Sequence, residues 1–197
     1  LKEHSMAVNP TLFTPLRLSF AGVFVLLLFC FSTMVEGDMF GLFKTYDVHL
    51  CPEVKGRLTL KGEPVAGVMI TRNLTFWDEA PRVDTTVSDE NGYFSFSDVV
   101  IQSKKPGDMF VQEFRDQEIY VEFQQQKYLL WFSSVRGYEP RSEYSKKLSS
   151  LNCALEQSLA KFEFQDKQQE NLKFTAVSLC RWDEDYLLFK EYDEKYL

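Results

Sequence analysis

The chain has 197 residues, which is enough for one domain of ordinary size together with a targeting segment and a short tail. Apolar residues make up 45% of the chain and aromatic residues 15%, so the composition excludes a globally disordered protein. The formal net charge is −7 and the cations are not clustered. A nucleic-acid-binding surface is therefore not expected, because phosphate recognition needs grouped Lys and Arg.

An uncharged apolar segment, residues 18–35, is the first feature along the chain. Its length fits either a retained membrane anchor (Leu18–Val35) or the core of a signal peptide that is cleaved near Gly37. Both interpretations place the following domain outside the cytoplasm. A third interpretation, in which the protein starts at Met39, makes it cytoplasmic.

From Val54 onwards apolar and polar residues alternate, a period of two that predicts strands with one face in a core. Two tight turns interrupt the pattern, at Lys61–Pro64 and at Asp89–Gly92. The second contains Asn-Gly, which tolerates the positive φ of a β-hairpin, and a calcium loop is not expected there because the closing acid is missing. The predicted strands of this region are 54–60, 65–72, 82–88 and 93–97.

The runs LTLKGEPVAGVMITR and TTVSDENGYFSF resemble the carboxypeptidase regulatory-like and transthyretin-like domains over about residues 54–97. This resemblance implies an all-β fold, an antiparallel β-sandwich, and no particular activity. The longer span from Phe43 through Trp182 resembles an uncharacterised bacterial domain family. The shared motifs are LCPEVKG, KYLLW, LSSLNC and CRW, and they imply a bacterial source without an agreed function.

The second half of the chain alternates less regularly. A strand at 117–123 and its partner at 127–133 are predicted on either side of a Gln-rich turn, and the apolar run at 129–132 predicts a central strand covered on both faces. Residues 134–145 are predicted as a long exposed loop. Weaker strand predictions cover 148–155, 161–164 and 172–182.

The tail, residues 183–197, carries six acids and two lysines. Its apolar residues Leu188, Tyr192 and Tyr196 are four apart, which predicts a short amphipathic helix. The predicted organisation is therefore an N-terminal segment at 1–37, a β-sandwich domain at 38–182 and an acidic tail at 183–197.

Three cysteines, Cys51, Cys153 and Cys180, follow the apolar segment. In an exported domain two of them would form a disulfide and leave one free. Cys153 and Cys180 are the candidate pair, because their bridge closes a loop of about 27 residues and adds roughly 3 kcal/mol in the loop-entropy model. Pairing with Cys51 and a set of buried thiols are the open alternatives.

Residues for catalysis are scarce. The chain has two histidines, His4 ahead of the apolar segment and His49 at the start of the domain. Within the domain only His49 could serve as the histidine base that activates a Ser or Cys nucleophile, so such a catalytic pair is not expected. Cys-x-x-Cys spacing is absent, so zinc is not expected, and neither is any other metal or cofactor. We expect a protein that is not an enzyme; a hydrolase with a carboxylate site is a minor alternative.

Aromatic and Arg side chains in two predicted loops form the candidate binding surface, since Tyr, Trp and Arg carry much of the binding energy at protein interfaces. In the alternative interpretation Trp77 folds back to cap the open end of the sandwich. The candidate residues are Phe76, Trp77, Arg136, Tyr138, Arg141 and Tyr144.

These features predict a non-enzymatic interaction protein of the bacterial envelope, periplasmic or anchored facing the periplasm. Its partner is predicted to be another protein, and an immunity role that neutralises a toxin is one form of this hypothesis. A carbohydrate-binding or adhesion module, which would use the same aromatic residues, is the alternative.

Overall fold

The computed structural model describes residues 44–77, 79–107, 113–165 and 173–182, and the backbone of 187–191. Several of the chain's strands alternate buried and exposed residues, as the sequence pattern predicts. The strands of the first half are β1 (Tyr46–Cys51), β2 (Val54–Leu60), β3 (Glu63–Pro64), β4 (Met69–Phe76), β5 (Arg82–Val87), β6 (Tyr93–Phe96) and β7 (Val99–Ser103), with a short 3-10 turn at Lys105–Gly107.

The second half contributes long central strands and one short helix. Its elements are β8 (Phe114–Phe123), β9 (Gln126–Arg136), α1 (Ser142–Leu148), β10 (Leu151–Ala154), β11 (Ala160–Gln165), β12 (Lys173–Ser178) and β13 (Leu187–Glu191). None of the helices in this described part of the chain is long and apolar enough to cross a membrane.

The described strands form three sheets. The largest has seven antiparallel strands in the order β13-β11-β12-β9-β8-β4-β5. A four-stranded sheet contains β10, β2 and β3, with β6 also paired to β2, and β1 pairs with β7 in a two-stranded sheet. Buried side chains from all three sheets join in one core. The prediction of an all-β, antiparallel sandwich is confirmed, and β2 with β10 is a parallel pair within it.

The two predicted turns have different outcomes. Lys61 and Gly62 both adopt positive φ (+52° and +86°), and β2 and β3 pair around them as a tight hairpin. The hairpin prediction for Asp89–Gly92 is wrong, because β5 belongs to the seven-stranded sheet and β6 to the four-stranded sheet. The Asp89 carboxylate accepts the N–H groups of Asn91 and Tyr93, both at 2.8 Å, and this turn carries the chain between sheets.

A β-bulge in β9 explains the continuous apolar run there. Ile119 pairs with Trp131 and the next residue of β8 pairs with Leu129, which leaves Leu130 as an extra residue. Leu130 and Trp131 are consequently both fully buried, whereas Phe132 is 40% exposed on the outer face of the sheet. The predicted central position of the strand is right, and its predicted coverage on both faces is wrong at Phe132.

Two further predictions are corrected. The loop predicted at 134–145 is mostly ordered secondary structure, since β9 continues to Arg136 and α1 occupies Ser142–Leu148. The helix predicted in the tail is wrong at Leu187–Glu191, where backbone pairing with β11 forms an edge strand instead. Residues 1–37 and 192–197, on which the anchor and the rest of that helix were predicted, lie outside the described residues.

The disulfide joins the two larger sheets. Cys153 on β10 is bonded to Cys180, which follows β12, and this is the candidate pair from the sequence. Cys51 is a free, buried thiol. The covalent link therefore fixes the four-stranded sheet against the seven-stranded sheet near Trp182, which is also part of the core.

Candidate binding site

The predicted surface residues gather at one end of the seven-stranded sheet. Trp77 directly follows β4, and Arg136 is the last residue of β9. Between these strands lies β8, whose first residue, Phe114, is opposite Arg136. The Phe114 carbonyl oxygen accepts a hydrogen bond of 3.1 Å from the Trp77 N–H. Strand register thus places residues of distant segments side by side.

Two of the six predicted residues are not on the surface. Phe76 is 1% exposed and Tyr144 is 2% exposed. Phe76 continues the inward-facing series of Ile70 and Leu74 on β4, and Tyr144 lies on the same buried face of α1 as Leu148, four residues further on. The prediction that both are exposed surface residues is wrong; Phe76 lies in the core, and Tyr144, although buried, contributes to the lining of the cleft described below. They support the surface from the core side.

The other four predicted residues remain accessible to different degrees. Trp77 is 44% exposed, so it is not a buried cap of the sandwich, and Arg136 is exposed as well. Trp77 also has a positive φ of +49°, which is rare for a bulky residue. Tyr138 and Arg141 are half-buried, and the Tyr138 ring packs edge-on against Tyr46 at 5.4 Å.

The sequence interpretation missed three residues of this end, Phe114, Lys173 and Phe174. Phe114 is 41% exposed and lies on the outer face of β8. Extending the alternation of β8 back by three residues would have found it. Lys173 and Phe174 have no comparable signal, because the pairing that brings β12 beside β9 joins segments far apart in the chain.

A cleft of about 440 Å³ opens between β9 and β12 at this end. Its walls are Ser134–Arg136 of β9 and Lys173–Thr175 of β12, and Phe114, Arg141 and Tyr144 complete the lining. The volume is in the range of protein sites that bind small molecules or peptide side chains. The exposed Arg136, the half-buried Arg141 and the exposed ring of Phe114 line one cleft and make this the candidate binding site.

Positive charge dominates the cleft. Among the described residues Arg136, Arg141 and Lys173 line it together with the carboxylate of Glu113, and Lys173 is ion-paired with Glu163 of β11. The Arg141 guanidinium lies 5.1 Å from the centroid of the Phe174 ring, a cation–π distance that holds it at the cleft wall. In a chain with a net charge of −7, this local excess of cations favours an anionic ligand.

A buried polar network fixes the chain behind the cleft. Arg115, on the inward face of β8, donates hydrogen bonds to the carbonyl oxygens of His49 and Glu139, and Gln117 donates to that of Leu50 at 2.7 Å. Burial, with the nearby charge of Arg141, lowers the pKa of Arg115 to about 10, so this guanidinium stays charged at neutral pH. The two hydrogen bonds of Arg115 thus link β1 to the turn that follows β9.

A second cleft, of about 470 Å³, serves as an internal comparison. Its lining includes Lys55, Tyr93, Ser95 and Asn152 of the four-stranded sheet. Lys55 forms an ion pair with Glu53 at 2.7 Å. In the described part of the chain this cleft is lined mainly by small polar side chains and no Arg is in its lining; its exposed aromatic residue, Tyr93, is stacked by the Arg57 guanidinium at 5.2 Å.

Reactive groups are poorly placed for chemistry in the described residues. Burial raises the pKa of the Cys51 thiol to about 11, which opposes formation of a thiolate at neutral pH. Across the same part of the chain no three His, Cys, Asp or Glu side chains are grouped to hold a metal ion. The arrangement at the cleft offers recognition by charge, aromatic contact and hydrogen bonding.

The fold and cleft belong to a β-sandwich domain whose family is identified by its sequence. Residues 54–158 match the family described as Domain of unknown function (DUF6795), and because the match covers more than half of the chain, this protein belongs to that family. The resemblance to a domain family of unknown function is thus confirmed. Comparison with curated proteins finds no match, and comparison with solved structures finds none either.

Proposed function

We propose that the protein is a non-enzymatic binding protein of the bacterial envelope, which recognises another protein through the cleft between β9 and β12. The observation that most supports this is the pair Phe114 and Arg136, both exposed and both in the lining of that cleft, with the exposed Trp77 at the same end of the sheet, hydrogen-bonded to Phe114 through the backbone. Trp and Arg are enriched among the residues that dominate interface energies, and aromatic residues are enriched at interfaces in general.

Several features support an envelope location and a binding role. The disulfide between Cys153 and Cys180 suits an oxidising compartment, and this favours the anchor or signal-peptide interpretation of Leu18–Val35 over a cytoplasmic start at Met39. The raised pKa of Cys51 argues against a thiolate nucleophile.

We also infer that the sandwich is related to the carboxypeptidase regulatory-like domains. The tight turn at Lys61 and Gly62 supports this, because it lies in the motif that carries the resemblance. Such scaffolds serve many purposes, so the proposed function depends on the cleft and not on the fold.

Capture from envelope extracts with single variants tests the proposed function. The immobilised protein should retain one specific partner, identified by mass spectrometry, and Trp77→Ala and Arg136→Ala should each lower its recovery at least about tenfold. Tyr93→Ala is the matched control, because Tyr93 is an exposed aromatic residue at the other cleft. Undiminished recovery with both cleft variants, or loss with Tyr93→Ala alone, contradicts the proposal.

An immunity role is one form of the same proposal, with a toxin as the partner. It predicts that co-expression protects cells from a toxin encoded beside this gene and that Arg136→Ala weakens the protection. The positive cleft favours an acidic segment of that toxin.

A carbohydrate-binding function is the second candidate, and the exposure of Trp77 and Phe114 at one edge favours it, since aromatic faces stack on sugars. A glycan array decides between the two. Binding to a defined glycan that is lost in Trp77→Ala and kept in Arg136→Ala would support this second function over protein recognition.

A further inference from the structure

We propose that the cleft binds an extended acidic segment of the partner, which adds as a β-strand to the open edge of β9. This inference rests on the proposed function, because it assigns a binding mode to the same cleft. It follows from the pairing of β9 with β12, the direction of their backbone groups, the position of Tyr144 and the charges around the gap.

The two strands are neighbours in the sheet but pair at one position. Val177 of β12 is opposite Phe132 of β9, and the described strands have no other pair. Continued antiparallel register would place Thr175 opposite Ser134 and Lys173 opposite Arg136. These residues instead form the two walls of the cleft, so the strands separate beyond Phe132.

Backbone polar groups of β9 point into this gap. The N–H of Gly137, directly after β9, donates to the Glu113 carbonyl oxygen at 2.6 Å on the side of β8. Successive residues of a strand direct their N–H and C=O groups to opposite sides. Arg136 and Ser134, one and three residues before Gly137, therefore present theirs towards β12, where regular pairing would have satisfied them.

Tyr144 holds the gap open. Its hydroxyl donates to the Thr175 carbonyl oxygen at 3.0 Å, which is the acceptor that regular pairing would offer to Ser134. The ring is packed in the core against Trp131 at 5.5 Å and Phe174 at 5.5 Å, so the hydroxyl is rigidly placed.

Like charges also oppose closure of the gap. In continued register Lys173 and Arg136 would be directly opposite each other, and like charges in that position are destabilising. Lys173 instead forms an ion pair with Glu163 of β11 at 2.5 Å. Arg136, which would meet Lys173 if the gap closed, would attract carboxylates of an incoming strand.

An acidic, extended peptide fits these features together. Its backbone would pair with the groups of Ser134 and Arg136, as in other complexes in which a peptide adds a strand to a sheet. Carboxylates on its outer face would lie near Arg136, and apolar side chains on its inner face would contact Phe174. Alternation of acidic and apolar residues is the expected sequence pattern, because strand side chains point to opposite faces.

Defined peptides test this binding mode without knowledge of the natural partner. The probe is a fluorescent, capped hexapeptide of alternating Glu and Val, measured by anisotropy at low salt. It should bind with saturation below about 1 mM. A version that is N-methylated at every peptide bond and a version with Lys for Glu should each bind at least about tenfold more weakly. Tyr93→Ala should bind the Glu-Val peptide normally, and Arg136→Glu should bind it at least about tenfold more weakly.

Each result supports or contradicts strand addition. Equal binding of the N-methylated peptide, equal binding of the Lys peptide or no saturable binding of the Glu-Val peptide overturns it. If the Glu-Val peptide fails while partner capture still depends on Trp77 and Arg136, strand addition is wrong and the proposed function stands. If the peptide binds as described while partner recovery does not depend on Trp77 or Arg136, the proposed function is wrong.

Discussion

The contact between β9 and β12 has a closed half and an open half, and the same two strands form both. In the closed half Phe132 pairs with Val177, and the Leu179 N–H donates to the Leu129 carbonyl oxygen at 3.3 Å. In the open half the strands separate from Ser134 onwards. The open half comprises the last three residues of β9 and the first three of β12, and its side chains differ from those of the closed half.

Side chains under the closed half are large, aromatic and mutually packed. Trp131 contacts Tyr144, Phe164 and Trp182, with ring centroids 5.5 to 6.3 Å apart. The disulfide bond between Cys153 and Cys180 lies just beyond the end of β12. The open half is lined by cations and the Tyr144 hydroxyl in addition to the rings of Phe114 and Phe174. Stability is expected to be concentrated in the closed half, and adaptability in the open half, as in many binding sites.

Trp131→Ala, a change under the closed half, should lower the free energy of unfolding more than the other variants. The ring is fully buried and its indole N–H donates to Gln117 and Ser133 oxygens, both at 3.1 Å. The free energy of unfolding should fall by about 3 to 5 kcal/mol, the usual range for removing a core Trp. Urea denaturation measures it. Phe132→Ala, next on the same strand and 40% exposed, should cost less than half as much; equal losses would contradict a stable closed half.

Removal of the disulfide should have the next largest effect. Replacing Cys153 and Cys180 together by Ala should lower the free energy of unfolding by roughly 3 kcal/mol, because the unfolded chain gains the entropy of an open loop. Reduction of the wild-type protein should produce a similar shift in the urea midpoint. A reduced protein that unfolds at the same midpoint as the oxidised one would show that this bridge does not secure the closed half.

Tyr144→Phe should have a smaller effect, confined to the open half. The change removes the hydrogen bond to the Thr175 carbonyl oxygen and keeps the packing of the ring, so the expected loss is about 1 kcal/mol. Burial raises the pKa of Tyr144, which keeps this hydroxyl protonated as a donor at neutral pH. Thermal denaturation checks the loss. Tyr93→Phe, at an exposed tyrosine, is the matched control and should change stability by less than about 0.5 kcal/mol.

Arg136→Glu should have the smallest effect on stability and should partly close the gap. A carboxylate opposite Lys173 replaces a like-charge pair with an attractive one, which is worth roughly 0.2 to 1 kcal/mol in a sheet. The melting temperature should therefore rise slightly at low salt, and Arg136→Gln should give an intermediate value. A melting temperature below that of wild type would mean that repulsion does not separate the strands.

Much of the fold could be predicted from local pattern. Alternation over β2, β5 and β6 is read directly from the sequence, and Lys61-Gly62 specified its hairpin because both residues accept positive φ. The turn at Asp89–Gly92 is predicted as a hairpin from its residues, but the same residues also suit a connection between two sheets. The sequence of the turn therefore does not distinguish the two arrangements. Local residues define a turn, whereas the partner of each strand is decided by packing of the whole core.

The site could be predicted only in part, for a related reason. Trp77 and Arg136 were identified from residue type, which does not depend on the partner strand. Phe76 and Tyr144 were misplaced because burial depends on which face of β4 or α1 meets the core. The cleft itself had no signal in the sequence, since it arises where β9 and β12, joined through a distant register, cease to pair.

Hydrogen exchange of individual β9 amides in the free protein tests the open gap most directly. The amides of Ser133 and Val135 face β8 and should be well protected, whereas those of Ser134 and Arg136 face the gap and should exchange at least about tenfold faster. Alternating fast and slow exchange along this half of β9 is the predicted result. Protection of Ser134 and Arg136 equal to that of Ser133 and Val135 would show a closed sheet and contradict the proposed binding site.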